Sequence, residues 1–207
     1  MIKITLFLFV ILYSNILSAS TIKDATEASA RGEHETAFKI LLPLAESGDV
    51  NALGNVGNKY AFGLGVKQDF EKAYHYWSLA ADKHLATAMF NIATLHASGK
   101  GGLAKDFSQA VVWYQKAANY AHTRAMINLS TMYATGQLLK KDIKKATAWA
   151  AIAANYERSK KLKKVYLSQF SKLMTGLSSE EKSAVQIIVN ELENNIKKNI
   201  NKFRSQF

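Results

Sequence analysis

The sequence of 207 residues contains no cysteine. That excludes disulfides, a cysteine nucleophile, thiolate zinc sites and a lipid-modified N-terminal cysteine, without identifying a compartment. Proline is nearly absent, with Pro43 standing alone. Such a chain suits continuous helices, because proline removes a helical hydrogen bond and clashes with the preceding turn. Long apolar runs are missing after residue 20, so nothing there approaches the roughly 20 residues of a membrane span. Acidic residues are in short supply, 16 against 27 Lys and Arg, for a net charge of +11. The deficit is concentrated at the end, where residues 157–207 hold 11 Lys/Arg and 5 Asp/Glu. Such an excess is either a solvated helix surface or a surface for an anionic partner.

Apolar residues make up 48% of the chain, enough for a sizeable core in one domain. The first 20 residues are organised differently from the rest. Met1-Ile2-Lys3 precedes a largely apolar stretch from Ile4 to Leu17, and Ser18-Ala19-Ser20 follows. That order is the order of a secretory signal peptide, with cleavage expected after Ala19 or Ser20; an uncleaved N-terminal anchor is the alternative. The expected location is periplasmic or secreted, with no transmembrane span after cleavage and a mature charge of about +10. Export removes nucleic acid from the expected partners.

Residues 21–156 are periodic. Asp69, Asp106 and Asp142 are each followed at +4 by Ala73, Ala110 and Ala146, and at +7 by Tyr76, Trp113 and Trp149. Alanine pairs follow at Ala80-Ala81, Ala117-Ala118 and Ala153-Ala154. Upstream, Ala52, Ala88 and Ala125 open equivalent segments, with Val56, Ile92 and Leu129 at +4, Tyr60, His96 and Tyr133 at +8, and Gly63, Gly99 and Gly136 at +11. Each Asp stands where a helix N-cap belongs. Each glycine at +11 suits the left-handed residue that ends a helix. The alanines let helices approach closely, and the aromatics are expected to fill the wedge between copies. Full copies span about 48–84, 85–121 and 122–156. A half-copy at 27–47, carrying Glu33, Ala37, Ala45 and Gly48, is expected to supply only the second helix of a pair. One repeat cannot bury its apolar face alone, so the copies must stack.

These residues resemble the Sel1-like repeat, a relative of the tetratricopeptide repeat. The copy from Ala52 to Ala81 fits that pattern nearly throughout, including Gly57, Gly65 and Val66. Departures are Ala93 and Ser130 in place of Gly57, Leu138 in place of Gly65, and His84 and Ala121 in place of Gly48. The resemblance implies an all-α fold: a right-handed α/α solenoid of Sel1-like helix pairs with a C-terminal helical cap. The cap is expected over 157–207. Leu162, Val165, Tyr166, Phe170, Leu173 and Met174 form one amphipathic helix, Ser178 and Glu181 form a capping box, and Val185, Ile188, Val189, Leu192, Ile196 and Ile200 form a second apolar stripe.

Catalytic chemistry finds no foothold. His34, His75, His84, His96 and His122 include no ligand-spaced pair. His96 takes the place of a repeat tyrosine and is expected in the core, whereas His84 and His122 fall in turns and are expected to be solvated. Gly63-Leu-Gly65 and the glycines at 99–102 follow helices, not strands, and no phosphate-binding lysine follows them. The expectation is a non-enzyme without cofactor, metal or catalytic residues. The resemblance places binding on the concave surface lined by the first helix of each pair. There, Asn55, Asn91 and Asn128 recur at +3, and Lys59, Leu95 and Met132 occupy +7 on the same face. The asparagines either clamp a peptide backbone or serve the repeat's own hydrogen bonding. The function expected is an exported scaffold binding a protein or peptide. Alternatives are a structural accessory of an envelope machine, such as a flagellar motor or secretion assembly, and a protein binding peptidoglycan or another anionic envelope polymer.

Overall fold

The computed structural model describes residues 21–101, 104–136 and 139–205. The export signal expected at residues 1–20 and the Leu138 substitution lie outside these residues. Among the described residues there are ten α-helices and no strand. In chain order they are α1 (Ile22–Ala30), α2 (His34–Glu46), α3 (Val50–Phe62), α4 (Phe70–Asp82), α5 (Ala86–Ser98), α6 (Phe107–Asn119), α7 (Thr123–Thr135), α8 (Ile143–Tyr156), α9 (Lys160–Thr175) and α10 (Ser179–Arg204). The described residues divide into two compact units, one up to Tyr76 and one from Trp77 onward.

In each repeat the same local bonds close the same turns. Asp69, Asp106 and Asp142 accept from the backbone amides of Lys72, Gln109 and Lys145, each at 2.9 Å, which satisfies free amides of the first turn. The amides of the same three aspartates donate to the carbonyls of Tyr60, His96 and Tyr133 at 2.9, 3.0 and 3.0 Å. Gly63, Gly99 and Gly136 end the preceding helices at φ of 65°, 66° and 70°. The second turn of each repeat also needs a left-handed residue. Gly48 supplies it without strain, but His84 and Ala121 adopt φ of 65° and 63° with a Cβ in place.

In the first unit, α1 packs on α2 and α2 on α3. The half-copy is therefore preceded by a helix of its own. Thr21 and Asp24 form a capping box that starts α1, and the small residues Ala25 and Ala28 are buried on it. It runs only nine residues and lacks the repeat's aromatic and glycine marks, so its sequence carries no periodic signal. Here Tyr60 stacks on Tyr76 at 5.7 Å and meets the edge of Phe38 at 5.4 Å. Gly65 is held against α2 so closely that an added Cβ would strike the backbone of His34 and Glu35.

In the second unit, α5 packs on α6, α6 on α7, and α7 on α8. Ile92, Met126, Leu129 and Ile152 are fully buried, together with alanines from every helix of the repeats. The aromatics at +7 divide. Trp149 is buried, but Trp113 is half-buried with the Lys116 ammonium 3.9 Å from its ring, and the next residue, Tyr114, takes the core position instead. The tail forms the two expected helices, but of the apolar face expected on α9 only Tyr166 is buried, and Val165 is 55% exposed. The Ser178 hydroxyl accepts from the Glu181 amide, and the Glu181 carboxylate accepts from the Ser178 amide. Helix α9 packs on α8, while α10 turns back over α8 and reaches α6. Val185, Val189 and Ile196 are buried on the inner face of α10.

The two non-glycine left-handed residues and Gly65 make opposite stability predictions. Ala121→Gly should raise stability by about 0.5–1 kcal/mol, since strain relief exceeds the added unfolded-chain entropy. Gly65→Ala combines a forbidden φ with a backbone clash and should cost more than about 2 kcal/mol. Urea unfolding followed by far-ultraviolet circular dichroism measures both; equal midpoints for wild type and Gly65→Ala would refute the close approach.

Candidate functional site

The six residues expected to form a binding face separate in the structure. Asn55, Asn91 and Asn128 are half-buried at equivalent points of α3, α5 and α7. Of the +7 residues, only Met132 stays partly accessible. Lys59 is 6% exposed and Leu95 is 4% exposed. The Lys59 ammonium donates to the Ser29 hydroxyl at 2.9 Å and lies 3.4 Å from His34 Nδ1. Burial holds its pKa below the usual lysine range. Lys59 is thus a tie from α3 to α1 and to the start of α2, not an open groove floor. The correction follows from the unexpected helix α1, whose Ser29 meets this side chain. Leu95 likewise belongs to the core of the second unit.

The exposed stripe lies one residue, or about 100°, from the expected one. On α5 it runs through Thr87, Asn91, Thr94 and Ser98; on α7 the equivalent positions are Arg124, Asn128, Thr131 and Thr135. Thr94 and Thr131, at +6, are exposed. Their hydroxyls donate back to Phe90 and Ile127 carbonyls at 2.9 and 3.0 Å; Thr94 Oγ1 also lies 3.4 Å from the Tyr114 hydroxyl, and Thr131 Oγ1 accepts from the Gln169 side-chain amide of α9 at 3.5 Å. The sequence signal for them was present: the three copies carry Asn58, Thr94 and Thr131 at +6, polar each time. Both +6 and +7 are helical neighbours of +3, so spacing alone does not choose between them.

Helix α7 is held to α5 by His122. Its ring stacks on Phe90 with centroids 4.4 Å apart, and Nδ1 accepts from the Ala125 amide at 3.3 Å. The histidine expected to be solvated is therefore an N-cap that works only in the neutral state. Burial, then the Arg124 charge, lower its pKa to about 4, against a smaller opposing effect of Glu157. His84 is not simply solvated either: its ring stacks on Tyr120 at 4.9 Å, and Nδ1 lies 3.0 Å from the Tyr120 hydroxyl. A cavity of about 340 Å³ lies where α10 crosses the repeats. Trp149 and Tyr133 form its aromatic side, while Gln115, Asn119, Lys145 and Glu191 supply polar groups. No spacing argument could locate it, because it exists only once α10 has turned back.

Comparison with known proteins gives a consistent result. The Sel1 repeat family model matches residues 50–85, 86–119 and 123–155. The ERAD-associated E3 ubiquitin-protein ligase component HRD3A of Arabidopsis thaliana is 33% identical over 95 residues, covering 42% of this chain and 14% of that protein. Protein sel-1 homolog 2 of Mus musculus is 41% identical over 58 residues, covering 28% of this chain and 8% of the relative. The chain thus spans only a small part of these relatives. Among solved structures, a Sel1 repeat protein from Oxalobacter formigenes aligns with a TM-score of 0.61 and 28% identity over 67% of this chain and 56% of that one. A protective antigen of uropathogenic Escherichia coli with an SLR fold aligns with a TM-score of 0.67 and 24% identity over 83% of this chain and 36% of that one, a likeness of fold alone.

The His122 geometry predicts acid sensitivity. Its folded-state pKa lies below the unfolded value of 6.5, so the unfolded chain binds the proton more readily. The stabilisation is complete above pH 6.5, declines as the pH falls, and is gone below about pH 4. At pH 4.5 the loss should be on the order of 2 kcal/mol. His122→Asn keeps a capping acceptor and has nothing to titrate there, so its urea midpoint should change less than that of wild type between pH 7.5 and 4.5. Parallel pH profiles for the two proteins would rule the account out.

Proposed function

Because this chain belongs to the Sel1 repeat family, whose members mediate protein–protein interaction, we propose that it is a scaffold that docks a protein or peptide on the first helices of its repeats. The observation that carries this reading is the pair of matched stripes in the second unit, Asn91 with Thr94 and Asn128 with Thr131. Amide side chains both donate and accept, which suits the backbone of an extended segment. Asn55 and Asn58 occupy the equivalent positions of α3 in the first unit.

The family is of the non-catalytic interaction type, and the reading extends this to the present chain. It also places the mature protein outside the cytoplasm, on the strength of the n-, h- and c-region order of residues 1–20. No helix among the described residues is long and apolar enough to cross a membrane. N-terminal sequencing of the protein recovered from the periplasm or medium should begin at Ser20 or Thr21; recovery of intact Met1 only in the cytoplasm would refute export.

The docking face is tested by placing a photo-crosslinking amino acid at position 94 or 131 in the native host. Both positions should capture the same partner, and a probe at exposed Ile187 should not. With that partner purified, Asn91→Ala combined with Asn128→Ala should weaken binding about tenfold or more, corresponding to lost hydrogen bonds of roughly 1 kcal/mol each, with the helical circular-dichroism signal unchanged. Equal affinity of wild type and double variant would sink the assignment of this face.

A further inference from the structure

The C-terminal cap carries a second, chemically different surface. A groove of about 330 Å³ runs between α9 and α10 over the exposed side of α8, within the size range of specific binding pockets. Leu167, Phe170 and Met174 line it from α9, and Val185 and Val189 from α10. Leu167 remains 46% exposed, a cost in apolar hydration that no packing among the described residues relieves.

The apolar wall continues into a cationic one. Lys160, Lys163, Leu167, Phe170 and Met174 are spaced 3, 4, 3 and 4 apart, which puts them on one stripe of α9. From Arg158 to Ser179 there is no Asp or Glu, and none of the lysines of α9 has an ion pair among the described residues. Lys182 stands on the α10 wall, also without such a pair. The one carboxylate of the groove, Glu193, is engaged by Lys197 at 3.5 Å and by the Asn155 amide at 3.3 Å. Within the groove Lys182 stands beside the C-terminal end of α9 and Glu193 toward its N-terminal end; beyond the lining at that end, on the same stripe of α9, Lys160 and Lys163 add positive charge that no carboxylate pairs among the described residues. Lys163 precedes Phe170 by seven residues, or about 10 Å of helix rise.

We propose that this groove docks a peptide segment in which apolar anchor residues lie next to acidic ones, with the anchors against Leu167 and Phe170 and the acids against Lys160 and Lys163. The apolar contact supplies affinity, and the lysines set direction and hasten encounter. A purely ionic ligand would leave the exposed leucine uncovered. The groove shares no lining residue with the Asn91 and Asn128 face, so different variants test the two.

Fluorescence anisotropy with the full chain tests this, using a labelled twelve-residue peptide that carries two leucines and four aspartates. Saturable binding is expected, weakened at least tenfold by Lys160→Gln with Lys163→Gln, and also by Leu167→Asn. All three residues are exposed or on the groove surface, so folding should persist, which unfolding midpoints verify. Asn91→Ala with Asn128→Ala should bind this peptide as wild type does. The proposal is overturned by absence of saturable binding up to about 1 mM, the weak end of specific recognition, or by unchanged affinity in either groove variant. Equal binding of a peptide with aspartates but no leucine would make it a polyanion surface and overturn it. So would exclusive binding to phosphatidylglycerol vesicles, or concentration-dependent self-association that competes with the peptide.

Discussion

Ala52 and Ala73 in the first unit, and Ala88, Ala110, Ala125 and Ala146 in the second, are all buried to 1% exposure or less. Each stands at a repeat position where helices meet, and a larger side chain there would have to push a backbone aside. Overpacking such a site typically costs about 1–3 kcal/mol. Close approach of the helices sets the other features. It brings Asp106 within bonding distance of the His96 carbonyl and Asp142 within that of Tyr133. It also leaves little volume for the turns, so His84 and Ala121 accept left-handed backbone that a longer connection would avoid. A solenoid of this type is held together by short-range contacts between successive elements, and each turn has to deliver the chain to the next one at a fixed angle.

Where the fold departs from the ideal repeat, side chains compensate. His122 caps α7 in place of a short polar residue, and its ring fills space beside Phe90. His84 stacks on Tyr120 at the corresponding turn of the preceding repeat. Lys59 exchanges water for a serine hydroxyl and the neighbourhood of a histidine ring. These polar groups are buried with partners, which is the condition for burying them at all. Their cost is tolerable because each one joins two helices. The same economy explains the two surfaces left over for binding: the amide and hydroxyl stripes on α5 and α7, and the apolar-cationic groove of the cap. Both also take part in packing, Thr131 through the Gln169 amide and the groove through buried Val185 and Val189.

The repeat period, the helix pairs, the aspartate N-caps, the glycine C-caps, and the helices and capping box of the tail were all legible in the sequence. Each is enforced by hydrogen bonds within a few residues, so local spacing is enough to specify it. Helix α1 was not legible, since nine residues with two buried alanines show no period. Its omission misplaced Lys59. The choice between +6 and +7 was not legible either, because both neighbour +3 on a helix and only the packing partner determines which one turns inward. Leu95 turned in and Thr94 turned out. Tertiary structure alone decided that α10 would cross back over α8 and α6 and create grooves on either side of itself. The physical reason is range: a sequence dictates the bonds a residue makes with its near neighbours, whereas burial depends on which distant surface arrives to cover it.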